Sequence, residues 1–139
     1  MVKVFLGGTT KGYDWRGVIE REFEHHDGIE LFNPIVKDWN DEAINIENEY
    51  KKTCDVCLYL ITPHLEGIYS IAEAVDDSNK RPEKTVFVYV DDTKHRGGKY
   101  TFTKCMKKSL EVTKQMIVSN GAKSFDSLEE LIGYLKSLI

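Results

Sequence analysis

Glu73 is the residue of this sequence whose type and position best suit covalent chemistry. It follows an apolar run, a proline and a short loop, and it lies where a helical pattern begins near Ser70. A carboxylate at such a helix start can act as a nucleophile or as a general base. The segment Ser70-Ile71-Ala72-Glu73 also fits a capping box, in which the glutamate accepts a hydrogen bond from the Ser70 backbone N–H. Both interpretations remain open from the residues alone.

The other reactive residue types show no spacing that predicts a metal or cofactor site. The four histidines lack an H-E-x-x-H or similar ligand pattern. Cys54 and Cys57 have redox spacing, but they enter a strand, whereas a reactive pair favours a helix N-terminus. Gly7 and Gly8 follow an apolar run without a G-x-G-x-x-G or P-loop motif. We therefore expect no metal and no cofactor.

The apolar run before Glu73, Val56–Ile61, is typical of a strand buried on both faces of a parallel sheet. Strand and helix patterns alternate five times along the chain, with further strands predicted at 2–6, 29–32, 85–90 and 122–125. This alternation predicts an α/β fold: a doubly wound, five-stranded parallel sheet in a flavodoxin-like or Rossmann-like three-layer sandwich. We expect the strand order 2-1-3-4-5.

That order has its switch point between the first and third strands, where ligands bind in such sheets. The loops at 7–10 and 65–70 would face each other across one crevice there. The predicted helix at 41–52 is polar and offers only Ala43, Ile44, Ile46 and Tyr50 for burial. The polar, Gly-rich segment 91–101 is the longest predicted loop, and we expect it to be a lid or an interface element.

Size and composition are those of an ordinary globular protein. The 139 residues predict a single domain spanning 1–139, with 41% hydrophobic and 30% charged residues. The formal charge of -4 gives no electrostatic reason to expect duplex nucleic acid as a partner. No apolar run approaches the roughly 20 residues that a membrane helix needs. Three cysteines do not make a disulfide framework, so we expect a reducing cytoplasm.

Several motifs together resemble the nucleoside 2-deoxyribosyltransferase family, and in particular its compact branch from bacteria and phages. The likeness covers residues 2 to about 90, and the order and spacing of the motifs carry it. They are VFLGGT at 4–9, DWR at 14–16, FNP at 32–34, TCDVCLYLITP at 53–63 and GIYSIAEAVDDSNKRP at 67–82.

The resemblance implies N-glycosyl transfer, that is, base exchange on deoxynucleosides or deoxynucleotides. Glu73 matches the family's nucleophile, which attacks the anomeric carbon of the sugar. A hydrolase, in which water replaces the acceptor base, and a non-catalytic nucleotide-binding module are the alternatives. The resemblance also implies a homodimer or a higher homo-oligomer in which a neighbour completes each site.

The same resemblance implies further site residues. Phe5, Gly7 and Gly8 match the first-strand motif that touches the sugar, with Thr9 following in the same loop. Phe5 stands where these enzymes often have a tyrosine that orients the nucleophile, so Tyr69 is the candidate for the missing hydroxyl. Candidates for the acid that protonates the leaving base are Glu66, Asp38 and Asp55, of which Asp55 also matches a base-holding aspartate. Stacking on the base could involve Phe5, Trp15, Trp39 or Tyr69.

Overall fold

The computed structural model describes residues 1–91 and 100–139, and in this part of the chain a five-stranded parallel sheet lies between two layers of helices. The strands follow the order β2-β1-β3-β4-β5, and all four pairings are parallel. Both the predicted fold class and the predicted strand order are therefore confirmed. The elements are β1 (Val2–Gly8), α1 (Trp15–Glu22), β2 (Ile29–Phe32), α2 (Asp41–Thr53), β3 (Val56–Ile61), α3 (Tyr69–Lys80), β4 (Thr85–Tyr89), α4 (Lys104–Ser119), β5 (Lys123–Phe125) and α5 (Leu128–Ser137).

The central strand β3 carries the core, because all six of its residues are buried. Side chains of α1 and α5 pack on one face of the sheet, and side chains of α3 and α4 pack on the other. Apolar area removed from water contributes roughly 25 cal/mol per Å², so these two faces supply most of the stabilisation. Six apolar side chains from β1, β3 and β4 lie at the centre of the core, with no more than 1% exposure for any of them: Val4, Leu6, Leu58, Leu60, Phe87 and Val88.

Helix α2 departs from the burial that its sequence pattern predicts. Ile46 was expected inside but is 52% exposed. Glu47 and Lys51, four residues apart on one helix face, are buried instead. The helix therefore presents a charged inner face to the sheet.

The segments that enter and leave the helices follow local rules. Asp14 caps α1, with its Oδ1 accepting from the Gly17 N–H at 3.0 Å, and Ser127 caps α5 through the Glu130 N–H at 3.1 Å. Gly121, with φ +107°, follows the end of α4, a position that favours glycine. The loop predicted at 91–101 falls mainly on residues 92–99, which lie outside the described part. Within the described residues, no helix has the length and apolarity to span a membrane.

Candidate functional site

The carboxyl ends of β1 and β3 open into a cleft of about 430 Å³ at the predicted switch point. One wall comes from the loop after β1, and the opposite wall comes from the loop before α3 together with the start of that helix. Helix α2 and the segment before it close the third side. The sequence-predicted residues that line the cleft are Phe5, Gly7, Gly8, Thr9, Trp39, Glu66, Tyr69 and Glu73.

The floor of the cleft requires glycine at two positions. A Cβ at Gly8 would lie 2.0 Å from the Leu60 carbonyl oxygen, and the φ of +123° is itself unfavourable for other residues. A Cβ at Gly7 would lie 2.8 Å from the rings of Phe5 and Tyr59. The two glycines therefore let β1 approach β3 closely and leave space above the sheet for a ligand.

The loop after β1 is fixed by a buried arginine. Arg16 donates to three backbone carbonyls, those of Leu6 at 2.9 Å, Thr9 at 2.7 Å and Gly8 at 3.2 Å. Burial lowers the pKa of Arg16 to about 10, so the guanidinium is still charged at neutral pH. The Thr9 hydroxyl accepts from the Thr62 backbone N–H at 3.0 Å and so links this loop to the end of β3.

Glu73 lies on the opposite wall and does not serve as a helix cap. Helix α3 begins at Tyr69, earlier than predicted, and its N-cap residue Ile68 makes no side-chain hydrogen bond. The capping-box interpretation is therefore wrong. The Glu73 carboxylate instead accepts a hydrogen bond through Oε2 from the Lys51 ammonium group. Its side chain is 13% exposed, and it lines the cleft.

A second carboxylate, Glu47, lines the same cleft from α2. Burial raises its pKa above the usual glutamate range, and the nearby Glu73 carboxylate adds to the rise. Burial also raises the pKa of Glu73, an effect that Lys51 opposes. Of the three glutamates that line the cleft, Glu66 pairs with Lys11 at the rim and Glu73 contacts Lys51, whereas no lysine within the described residues contacts Glu47. Unequal surroundings of this kind can keep one carboxyl group ionised, so that it attacks as an anion, and another protonated, so that it donates a proton.

The rim of the cleft carries aromatic and charged pairs. The rings of Trp39 and Tyr69 lie 5.3 Å apart, and both side chains are about half exposed. Lys11 and Glu66 form an ion pair at 2.7 Å between the two loops. Among the described residues, no three His, Cys, Asp or Glu side chains are arranged to hold a metal ion.

Comparison with protein families identifies the family of this chain. A family model described as "nucleoside 2-deoxyribosyltransferase like" matches residues 1–92, well over half of the chain. The chain belongs to this family. The matched segment contains Glu73, the glycine loop and both buried residues of α2, so it includes the whole set of charged groups in the cleft.

The fold has a counterpart among solved structures. A conserved protein from Enterococcus faecalis V583 superposes with a TM-score of 0.57 at 16% sequence identity, over 100% of this chain and 99% of that one. At this identity the likeness establishes the fold alone. No curated protein matches the chain significantly.

Three residues predicted for this family site lie outside the cleft. Trp15 is buried, and its indole N–H donates to the Thr9 carbonyl at 3.0 Å, so its ring cannot stack on a base. Asp55 precedes β3, at the opposite edge of the sheet, where its Oδ2 accepts from the Lys3 N–H at 2.8 Å. Asp38 is exposed and lines a neighbouring depression beside α2, which shares Glu47 with the cleft. The structure therefore does not bring Trp15 or Asp55 into the cleft, and the role of Asp38 stays a prediction.

Sequence reasoning missed Glu47 and Lys51, which both belong to α2. It assigned the contact with Glu73 to Tyr69, whose ring packs against Trp39 instead. A signal was present, because a helix with few apolar residues must turn some polar side chains inward if it packs on a sheet. The spacing of four between Glu47 and Lys51 places both on one face.

Proposed function

We propose that this protein transfers the sugar of a deoxynucleoside or deoxynucleotide between bases, with Glu73 as the nucleophile. The observation that carries the proposal is a carboxylate, largely buried but open to the cleft, at the start of α3 in a chain of this family. A cleft of about 430 Å³ is within the usual range for small-molecule sites of roughly 300–1,000 Å³.

The reaction proceeds by double displacement. The Glu73 carboxylate attacks C1′ of the sugar and forms a C–O bond while the C1′–N bond breaks, and the departing base keeps the bonding electron pair. An acceptor base then displaces Glu73 from C1′. This chemistry parallels that of retaining glycosidases, whose transition states resemble an oxocarbenium ion, and it requires no cofactor.

The leaving base needs a proton, and Glu47 is the residue we assign to supply it. Its raised pKa keeps a larger fraction of the carboxyl protonated near neutral pH than is usual for glutamate. It lines the cleft together with Glu73, whereas Glu66 is engaged by Lys11 at the rim. Glu47 would recover a proton from the acceptor base in the second half of the cycle.

Contacts for the substrate come from the remaining lining residues. The Trp39 and Tyr69 rings at the rim suit a planar base, which stacks on aromatic faces. Gly7 and Gly8 leave room for the sugar close to the sheet, opposite Glu73.

The test is incubation of the protein with a panel of deoxynucleosides and their monophosphates, with and without free acceptor bases, followed by chromatographic separation. The expected product is the exchanged nucleoside, formed only when an acceptor is present. Glu73→Gln should lower the rate by about three decades or more, because a neutral amide is a poor nucleophile. Each decade of rate corresponds to about 1.4 kcal/mol of activation barrier. Asp76→Asn is the matched control, because Asp76 is exposed on the same helix and pairs with Lys80 at 2.8 Å.

The other outcomes identify the alternatives. Free sugar released without an acceptor base would identify a hydrolase with the same nucleophile. Binding of a nucleotide without turnover, unaffected by Glu73→Gln, would identify a binding module and contradict the catalytic assignment.

A further inference from the structure

Lys51 is a buried cation beneath the candidate nucleophile. Its side chain is 5% exposed, and its ammonium group contacts Glu73 Oε2. The ammonium nitrogen also lies 5.0 Å from the ring centroid of Phe5 and 5.6 Å from that of Tyr59. Lysine is almost never fully buried unless it is paired, because desolvation of the ammonium group is costly.

Stability alone does not account for this lysine. A buried ion pair is often no more stabilising than apolar side chains of the same size, because desolvation offsets the Coulombic attraction. Phe5 and Tyr59 already provide an apolar environment that a methionine at position 51 would fill. The ion pair also lies at the edge of the cleft and includes the one carboxylate assigned to attack.

We propose that Lys51 is a positioning residue for the transfer reaction: its ammonium group holds Glu73 Oε2 and leaves Oε1 for the anomeric carbon. The inference rests on the function proposed above. Phe5 has no hydroxyl to orient the carboxylate, and the Tyr69 ring lies against Trp39. Lys51 therefore takes the orienting role from within α2.

The charges around Glu73 explain why a cation is needed there. Glu47 faces it from α2, and Asp77 lies one turn further along α3. Asp77 is itself held by the Tyr59 hydroxyl and by Arg81, on the side of α3 that packs on the sheet. Burial and the Asp77 carboxylate favour the neutral form of Glu73, and Lys51 is the cation in contact that opposes them. Loss of Lys51 should therefore raise the pKa of Glu73, so that the nucleophile becomes protonated at a higher pH.

The same pair affects the second half of the reaction. When Glu73 forms an ester with C1′, its negative charge disappears and Lys51 is left buried without its counter-ion. That state is unfavourable, so Lys51 promotes release of Glu73 to the acceptor base. The covalent intermediate should therefore be short-lived in the wild-type protein.

The test compares Lys51→Met with Lys52→Met, the matched control. Lys52 is the next residue and is exposed, with its own partner Glu49 at 2.8 Å. The titration of the Glu73 carboxyl carbon is followed by NMR in protein labelled with ¹³C at the glutamate carboxyl, and the signal is assigned by its loss in Glu73→Gln. In Lys51→Met the midpoint should rise by about 1–3 pH units, the usual effect of one adjacent opposite charge. Lys52→Met should leave it unchanged.

Turnover provides the readout that a merely structural lysine would not change. The acid limb of the kcat/KM profile should move upward with the NMR midpoint in Lys51→Met, and kcat should fall more than KM changes. An unshifted midpoint, or a shifted midpoint with an unchanged pH profile, would overturn the positioning role.

A second variant covers the case in which Lys51→Met does not fold. In Glu73→Gln the Lys51 side chain loses its charged partner, so the NMR signal of its ¹⁵N-labelled ammonium group should move, because coupling between two sites is reciprocal. An unchanged ammonium signal would overturn the inference. These NMR measurements need no substrate, so a shift in a protein that turns over no nucleoside would contradict the proposed function and not the coupling.

Discussion

At the scale of single residues, the site is defined by two carboxyl groups with different surroundings. Glu73 is paired with Lys51, and Glu47 is buried without such a contact in the described structure. In this account Glu73 must be ionised to attack, and Glu47 must be protonated to assist departure of the base. The two roles follow from burial and from the position of one lysine.

This division of roles predicts a bell-shaped dependence of kcat/KM on pH. Activity should fall as the pH drops through the raised pKa of Glu73, and it should fall again as the pH rises through the raised pKa of Glu47. Both limbs belong to the coupled pair, since the two groups interact. The measurement is a pH–rate profile with a deoxynucleoside and an acceptor base.

Glu47→Gln should lose the alkaline limb and slow turnover by about 10²–10⁴-fold. An alkaline limb that persists in this variant would contradict the assignment of Glu47.

At the scale of elements, the cleft exists because β1 and β3 approach each other at glycines. Gly8→Ala should destabilise the protein by about 1–3 kcal/mol from backbone strain alone, since its φ is positive, and a Cβ would also overlap the Leu60 carbonyl. The measurement is denaturant unfolding. Gly67→Ala is the matched control, because a Cβ there would meet no atom within 4 Å. Equal stabilities for the two variants would contradict the described floor.

The start of α3 permits a test of the missing cap. Thr103 caps α4 through the Met106 N–H at 3.1 Å, so Thr103→Ala should cost about 0.5–2 kcal/mol of unfolding free energy. Ser70→Ala removes no cap and should cost less than about 0.5 kcal/mol. Chemical denaturation of both variants checks the difference. A loss at Ser70 as large as that at Thr103 would restore the capping box.

The elements were largely predictable from sequence, whereas the charges between them were not. Uninterrupted apolar runs identify β3 and β4, and the alternation of strands with helices indicates a parallel, doubly wound sheet. Hydrophobic periodicity, however, placed Ile46 inside, and it cannot foresee a buried charge. Lys51 can be buried because its ammonium group pairs with Glu73. The two residues are 22 positions apart in the sequence and lie on different helices, so the contact cannot be read from the sequence pattern.

The misplaced site residues have a similar cause. Trp15, Asp38 and Asp55 are of suitable types, but residue type does not reveal which edge of the sheet a side chain reaches. Asp55 precedes its strand and so lies at the amino end, away from the ligand edge. Most of the predicted residues that line the cleft lie at the end of β1, in the loop after it, or in the loop and helix start after β3. The rule for parallel sheets applies at these positions.

At the scale of the whole molecule, apolar side chains around the cleft rim are exposed. They are Ile35, Val36, Trp39, Ile68 and Tyr69, with Ile68 75% exposed. Clusters of this kind mark interaction sites. We therefore keep the prediction of a homodimer or larger assembly, to be checked by light scattering at micromolar concentration.

A charge at the rim should weaken such an assembly. Ile68→Lys is expected to lower the measured mass toward that of a monomer. Val112→Lys, on an exposed position of α4, should leave the mass unchanged. A monomeric wild-type protein would contradict the prediction.

The central claim is that Glu73 becomes covalently bonded to the sugar. The most direct measurement is mass spectrometry of peptides from protein mixed with a deoxynucleoside and quenched with acid within milliseconds. The account predicts the added mass of one deoxyribosyl group on the peptide containing Glu73, absent in Glu73→Gln and stronger in Lys51→Met at a pH where Glu73 is ionised in that variant. An adduct on a different residue, or full turnover by Glu73→Gln, would contradict it.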